Sequence, residues 1–200
     1  IAELMAGALA VPADARADFV SFARGSREIV DARNNGAALP TPLTPLLGRA
    51  ADLAHMSQLL ANAECRLLSL CGAGGVGKTR LALQAAHAHQ AEFGDGAGFV
   101  ALAGVARGAD VPSAVATSLG LTLHGPDDIT PQLIEHLRAR HMLLVLDNLE
   151  HLLAAGDAPA FVAQLLAHAP RIKVIGLWQC AFTRPGISTA SGRCTSCLGA

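Results

Sequence analysis

The stretch Arg66-Leu-Leu-Ser-Leu-Cys-Gly-Ala-Gly-Gly-Val-Gly-Lys-Thr79 joins a short apolar run to a glycine-rich loop. The run is the length of a buried strand, and Arg80-Leu-Ala-Leu83 behind the loop opens a helical pattern. Strand, loop and helix in that order, with the spacing GxxxxGK[ST] over Gly72–Thr79, describe a phosphate-binding loop. The spacing follows from the chemistry. Glycines at 72, 74, 75 and 77 let backbone N–H groups turn toward phosphate oxygens where side chains would collide. The helix starting near Gly77 adds its unsatisfied N–H groups and the positive end of its dipole. Lys78 is expected to reach the β- and γ-phosphates, and the Thr79 hydroxyl to ligate Mg²⁺. Lysine occurs only twice in the chain, at 78 and 173, against thirteen arginines. At the chain's own residue frequencies, about 0.002 such matches are expected by chance.

Outward from the loop, apolar runs alternate with helical patterns. Leu53, Met56, Leu59 and Leu60 make a helical face before it. After it come helical residues 78–92, a run from Gly98 to Leu102, and a helix near 110–119. Thr130-Pro131 opens a helix to Arg140, followed by the run Met142–Leu146, a helix over 158–168 and the run Ile172–Ile175. Apolar strands separated by 10–15-residue helices predict an α/β fold, a mostly parallel sheet covered on both faces. Residues 1–34 read as a short helical segment. Prolines 40, 42 and 45 mark 35–47 as an extended linker. The main domain then covers 48–176. Residues 177–200 carry three of the five cysteines and show no helical or strand period, so they read as a divergent tail.

A phosphate loop needs an acidic partner for the metal, and Leu143-Leu-Val-Leu-Asp147 supplies one at the carboxyl end of what is expected to be a neighbouring strand. Thr79 and Asp147 are therefore the candidate metal ligands. Many ATPases with this layout place Glu directly after the Asp, to orient water. Here Asn148 holds that position; it can hydrogen-bond a water but cannot take its proton. Glu150 and His151 follow, either of them able to act, with a helix-N-terminal carboxylate the competing reading of Glu150. Asp147, Asn148 and Glu150 are the catalytic candidates, and slow hydrolysis is the expectation.

Composition sets the outer limits. Hydrophobic residues at 52% and charged residues at 16% argue against extended disorder, and a formal charge of −1 argues against a general polyanion binder. No apolar run approaches the roughly 20 residues of a membrane helix, so no membrane association is expected. Five cysteines at 65, 71, 180, 194 and 197 suggest reduced thiols in a cytoplasmic protein. Cys194 and Cys197 have CxxC spacing, but without a second pair a zinc site is not favoured. The eight histidines are scattered, with His87 and His89 at a spacing that does not face one site.

Taken together, LLGR (Leu46–Arg49), the phosphate loop with its flanks (Arg66–Ala86), GFVAL (Gly98–Leu102) and LLVLDNLEHLL (Leu143–Leu153) resemble the STAND-class, NB-ARC-like ATPases of bacterial transcriptional regulators. The resemblance spans roughly residues 40–176. It implies a P-loop NTPase fold, a three-layer α/β/α sandwich binding ATP or ADP with Mg²⁺. It also implies that Leu47, Gly48 and Arg49 contact the nucleotide, alongside Gly72, Ala73, Gly74, Gly75, Val76, Gly77, Lys78, Thr79 and Arg80. In such proteins ATP favours an open, self-assembling state and ADP a closed one, a role that tolerates slow hydrolysis. Residues near the N-terminus are similar to the last helices of a Cro/repressor-type helix-turn-helix domain. No recognition helix is identifiable, so DNA is a partner only through a parent domain.

One departure stands out. After Lys173-Val-Ile-Gly176 the family continues with Thr-Ser-Arg, whose Arg senses the γ-phosphate; here Leu177, Trp178 and Gln179 follow. This chain also begins with Ile, so a truncated or out-of-frame segment is one expectation. Beside the nucleotide switch stand two other classes: a non-functional fragment, and a catalytically competent P-loop kinase or hydrolase.

Overall fold

Leu67–Gly72 forms the first strand, β1, and its burial is what the sequence dictates: Leu68 and Leu70 are enclosed on one face of the sheet. The computed structural model describes residues 39–42, 44, 46–123, 129–152, 157–179 and 186–189. The chain divides into two units, Ile1–Asn35 and Gly36–Ala200. Expectations about 1–34, His124 and the Cys194–Cys197 pair lie outside the described residues.

Helix α1 (Ala50–Ala61) precedes β1, and α2 (Lys78–His89) follows the loop. Next come β2 (Ala97–Ala101), α3 (Val111–Ser118), α4 (Ile129–Arg138), β3 (Leu143–Asp147), α5 (Asp157–His168), β4 (Lys173–Gln179) and β5 (Gly186–Thr189). The sheet order is β2-β3-β4-β1-β5. The first four strands are parallel, and β5 runs antiparallel to β1.

The alternation of side chains sorts the core into two layers. Leu143, Val145, Ile175, Leu68 and Leu70 face α1 and α2, packing on Met56, Leu60, Ala82, Leu83 and Ala86. Leu144, Leu146, Val100 and Val174 face the other way, onto Val111 and Val115 of α3, Leu133 and Leu137 of α4, and Phe161 and Leu165 of α5. The result is the α/β/α sandwich of a P-loop fold. Two long cations close helix ends. The Arg66 guanidinium donates to the carbonyls of Leu166 (2.6 Å), Ala169 (2.6 Å) and Ile172 (3.0 Å) at the end of α5. Lys173 does the same for α1 through Leu60 (2.6 Å) and Asn62 (2.7 Å). Burial holds both cations below their ordinary pKa.

Three expectations are corrected. The strand after Ile172 does not stop near Gly176: Leu177, Trp178 and Gln179 continue it opposite Leu70, Cys71 and Gly72. A further strand, β5, lies where no strand period was read. The strand bearing Asp147 is also not the immediate neighbour of the loop strand, because β4 lies between β3 and β1. The sequence order of strands says nothing of their spatial order, which is set by crossovers over the sheet. The thiol expectation holds for Cys65, which is buried and outside any disulfide, and not for Cys71, which is disulfide-bonded. A count of cysteines carries no geometry.

Candidate functional site

The loop between β1 and α2 turns on two left-handed glycines, Gly75 at φ +77° and Gly77 at φ +87°, the second serving as the N-cap of α2. A side chain at either would strain the backbone. Gly77 thereby starts the helix with its free N–H groups toward the loop's concavity. Lys78 lies across it: its Nζ donates to the carbonyls of Gly72 (2.9 Å) and Ala73 (2.8 Å).

Two strand spacings, about 9.6 Å, separate β1 from β3, yet the loop still meets Asp147. The Thr79 hydroxyl stands 3.2 and 3.1 Å from the two carboxylate oxygens. The first turn of α2 thus spans the carboxyl end of β4. Burial pushes the Asp147 carboxyl above the usual range. The Thr79 hydroxyl, the Asn148 backbone N–H and the Lys78 charge oppose the rise, and the Glu150 charge adds to it. Asn148 sits in the left-handed region at φ +64°, and its amide donates to Glu150 Oε1 at 3.0 Å. His151 points elsewhere, with Nε2 donating to the Val105 carbonyl at 2.8 Å.

These groups enclose a cavity of about 330 Å³. Its walls are Gly74, Gly75 and Gly77 of the loop, Lys78, Thr79 and Arg80 of α2, Asp147, Asn148 and Glu150 after β3, and Leu177 of β4. The cavity opens at the carboxyl ends of the parallel strands, where ligands bind in such sheets. Backbone donors, one ammonium and a helix N-terminus suit a polyphosphate on one side. Thr79 and Asp147 present hard oxygens on the other, the donor set of a small divalent cation, and such a cation would relieve the buried carboxylate.

Residues 61–176 match the AAA domain family. The chain belongs to that family. A protein of Mycobacterium tuberculosis named as an HTH-type transcriptional regulator is 43% identical over 117 residues, covering 56% of this chain and 12% of its own length. The regulatory protein AfsR of Streptomyces griseus is 32% identical over 123 residues, again covering 56% of this chain and 13% of its own. The chain therefore spans about an eighth of the regulators it matches. Among solved structures, Cdc6p from Pyrobaculum aerophilum shares the fold, with TM-score 0.54 at 21% identity over 72% of this chain and 41% of that one.

The sequence candidates separate into two groups. Ten residues line the cavity, nine of them named from the sequence; Leu177 was read as part of the tail. Its signal was available, since it continues the strand of Lys173–Gly176 to the carboxyl end where the site lies. Gly72, Ala73 and Val76 belong to the motif but do not line the cavity. The second group, Leu47, Gly48 and Arg49, stands beside the loop. Arg49 donates to the Val76 carbonyl at 3.0 Å and pairs with Asp52 at 2.9 Å, while Leu47 is 82% exposed. The proline-rich stretch is not a free linker in its described part. Leu39 is buried against the α1–α2 layer, the Pro40 carbonyl accepts from His87 (3.0 Å), and Thr44 accepts from Arg80 (2.7 Å). Leu39 and Pro40 thus stand near the end of α2, Thr44 near its start and Arg49 at the phosphate loop, an arrangement that the prolines alone did not disclose. Among the described residues no helix is long and apolar enough to cross a membrane.

Proposed function

We propose that this AAA domain is an ATP- and ADP-binding switch of the STAND, NB-ARC-like kind, acting inside a bacterial transcriptional regulator and turning ATP over slowly. The observation that carries the reading is the meeting of Lys78, Thr79 and Asp147 around one cavity at the carboxyl edge of the sheet. The loop N–H groups and Lys78 hold the phosphates; Thr79 and Asp147 hold Mg²⁺, which when bound neutralises phosphate charge. Support for the regulatory setting comes from the relatives, whose names describe regulators. DNA contact then belongs to a helix-turn-helix part of the parent protein, and self-assembly to its ATP-bound state.

The stretch 39–49 is the natural reporter of the switch, because Arg80 and the loop's Val76 both hold it. Hydrogen exchange of the full chain with ATP and Mg²⁺, compared with ADP, is expected to show different protection at 39–49 and 72–80. Equal protection with both nucleotides bound contradicts the switch.

A further inference from the structure

We propose that Glu150 is the carboxylate that takes the proton of the attacking water during nucleotide hydrolysis, and that Asn148 is the residue that positions it. The inference rests on the nucleotide reading above. It starts from the backbone. Asn148 is the one non-glycine among the described residues with a positive φ. Asparagine tolerates that conformation better than most side chains, and such residues gather at functional turns.

The turn has a definite consequence. It sends Leu149 inward, where its side chain is buried, its N–H donates to the Leu177 carbonyl at 3.0 Å, and its Cδ1 would lie 3.2 Å from a Cβ added at Gly176. Gly176 is therefore small where Leu149 has to pack. With Leu149 pinned beneath, Glu150 returns to the cavity wall beside Thr79 and Asp147. The Asn148 amide then fixes the carboxylate through the 3.0 Å bond to Oε1. The amide must point its nitrogen at Glu150, since two oxygen acceptors would repel.

The other candidates are placed otherwise. His151 is turned to the Val105 carbonyl, Asn148 has no site for a proton, and Asp147 is engaged with the Thr79 hydroxyl. Among the cavity-lining residues, Glu150 is the remaining proton acceptor. In the step it serves, the water oxygen bonds to the γ-phosphorus while the bond to the β–γ bridging oxygen breaks. The electron pair leaves with ADP, and the water proton passes to the Glu150 carboxylate.

The test uses the whole chain and separates binding from turnover. Affinities for ADP and for a non-hydrolysable ATP analogue are measured for the native protein, Glu150→Gln, Glu150→Asp and Asn148→Gly, beside single-turnover phosphate release. The expected result is nucleotide binding retained in the three variants, with hydrolysis slowed at least about 100-fold in Glu150→Gln. Asn148→Gly keeps the left-handed turn but loses the amide, and is expected to slow hydrolysis roughly 10-fold. Glu150→Asp, which keeps the carboxylate, should recover part of the rate that Glu150→Gln loses. Native-like hydrolysis in Glu150→Gln, or a native protein that binds ATP without cleaving it, overturns the assignment. Failure of the native protein to bind either nucleotide overturns the nucleotide reading, and this assignment with it.

Discussion

At the scale of single residues, the site accepts an electrostatic cost in Asp147. Its carboxyl is half-buried, and burial is the largest influence, raising its pKa despite the hydroxyl, amide and ammonium around it. A carboxyl with a folded pKa above its unfolded one contributes stability below the unfolded pKa, and that contribution is lost as pH rises through the folded value. Asp147→Asn is therefore expected to stabilise the nucleotide-free protein at pH 7 and to lose that advantage below the usual carboxylate range. Urea unfolding at pH 7 and at pH 3.5 measures this; equal stability of the two proteins at pH 7 contradicts it. Lys78 shows the opposite economy, since two loop carbonyls accept from its ammonium. The loop residues were legible in the sequence because their roles are local: glycine for positive φ, lysine for charge, threonine at the first helical turn. The pairing of Asn148 with Glu150 was not, since it depends on a left-handed residue and on Leu149 finding Gly176 across the chain.

At the scale of elements, the helices and the strands β1 to β4, short of the end of β4, followed from periodicity; β5 and the neighbours of each strand did not. The apolar run ending at Asp147 announced a buried strand, but nothing in it said that β4 would lie between β3 and β1. Nor did three prolines announce a stretch held against α2: the partners, His87 and Arg80, sit on another element and look like ordinary helix surface. Leu177–Gln179 were masked by an unfamiliar continuation, although their pairing with β1 follows simply from the strand running on. Arg66 tests the element scale. It stands before β1 yet closes α5 with three carbonyl contacts, so Arg66→Ala removes charged hydrogen bonds and exposes a helix end. The expected loss is about 2–3 kcal/mol in urea unfolding, with nucleotide affinity changed little in the protein that remains folded. A loss below about 0.5 kcal/mol, the range of ordinary surface substitutions, contradicts the capping role.

At the scale of the whole molecule, the proposed function has a near-neutral chain concentrate anion recognition in one place. The formal charge of −1 offers no long-range attraction, so under the proposed function binding would depend on backbone donors gathered at one sheet edge, on Lys78, and on a cation that Thr79 and Asp147 would hold. The other lysine, Lys173, is occupied in closing α1 at the far end of the sheet from the loop. The measurement that bears most directly on this account is calorimetric titration of the full chain with ATP and with ADP, with and without Mg²⁺, beside Lys78→Ala. Binding of both nucleotides, tightened for ATP by Mg²⁺ and weakened at least about 100-fold by the substitution, is the predicted result, a change of about 2.7 kcal/mol. Affinity that is absent in the native chain, or unchanged in Lys78→Ala, contradicts it.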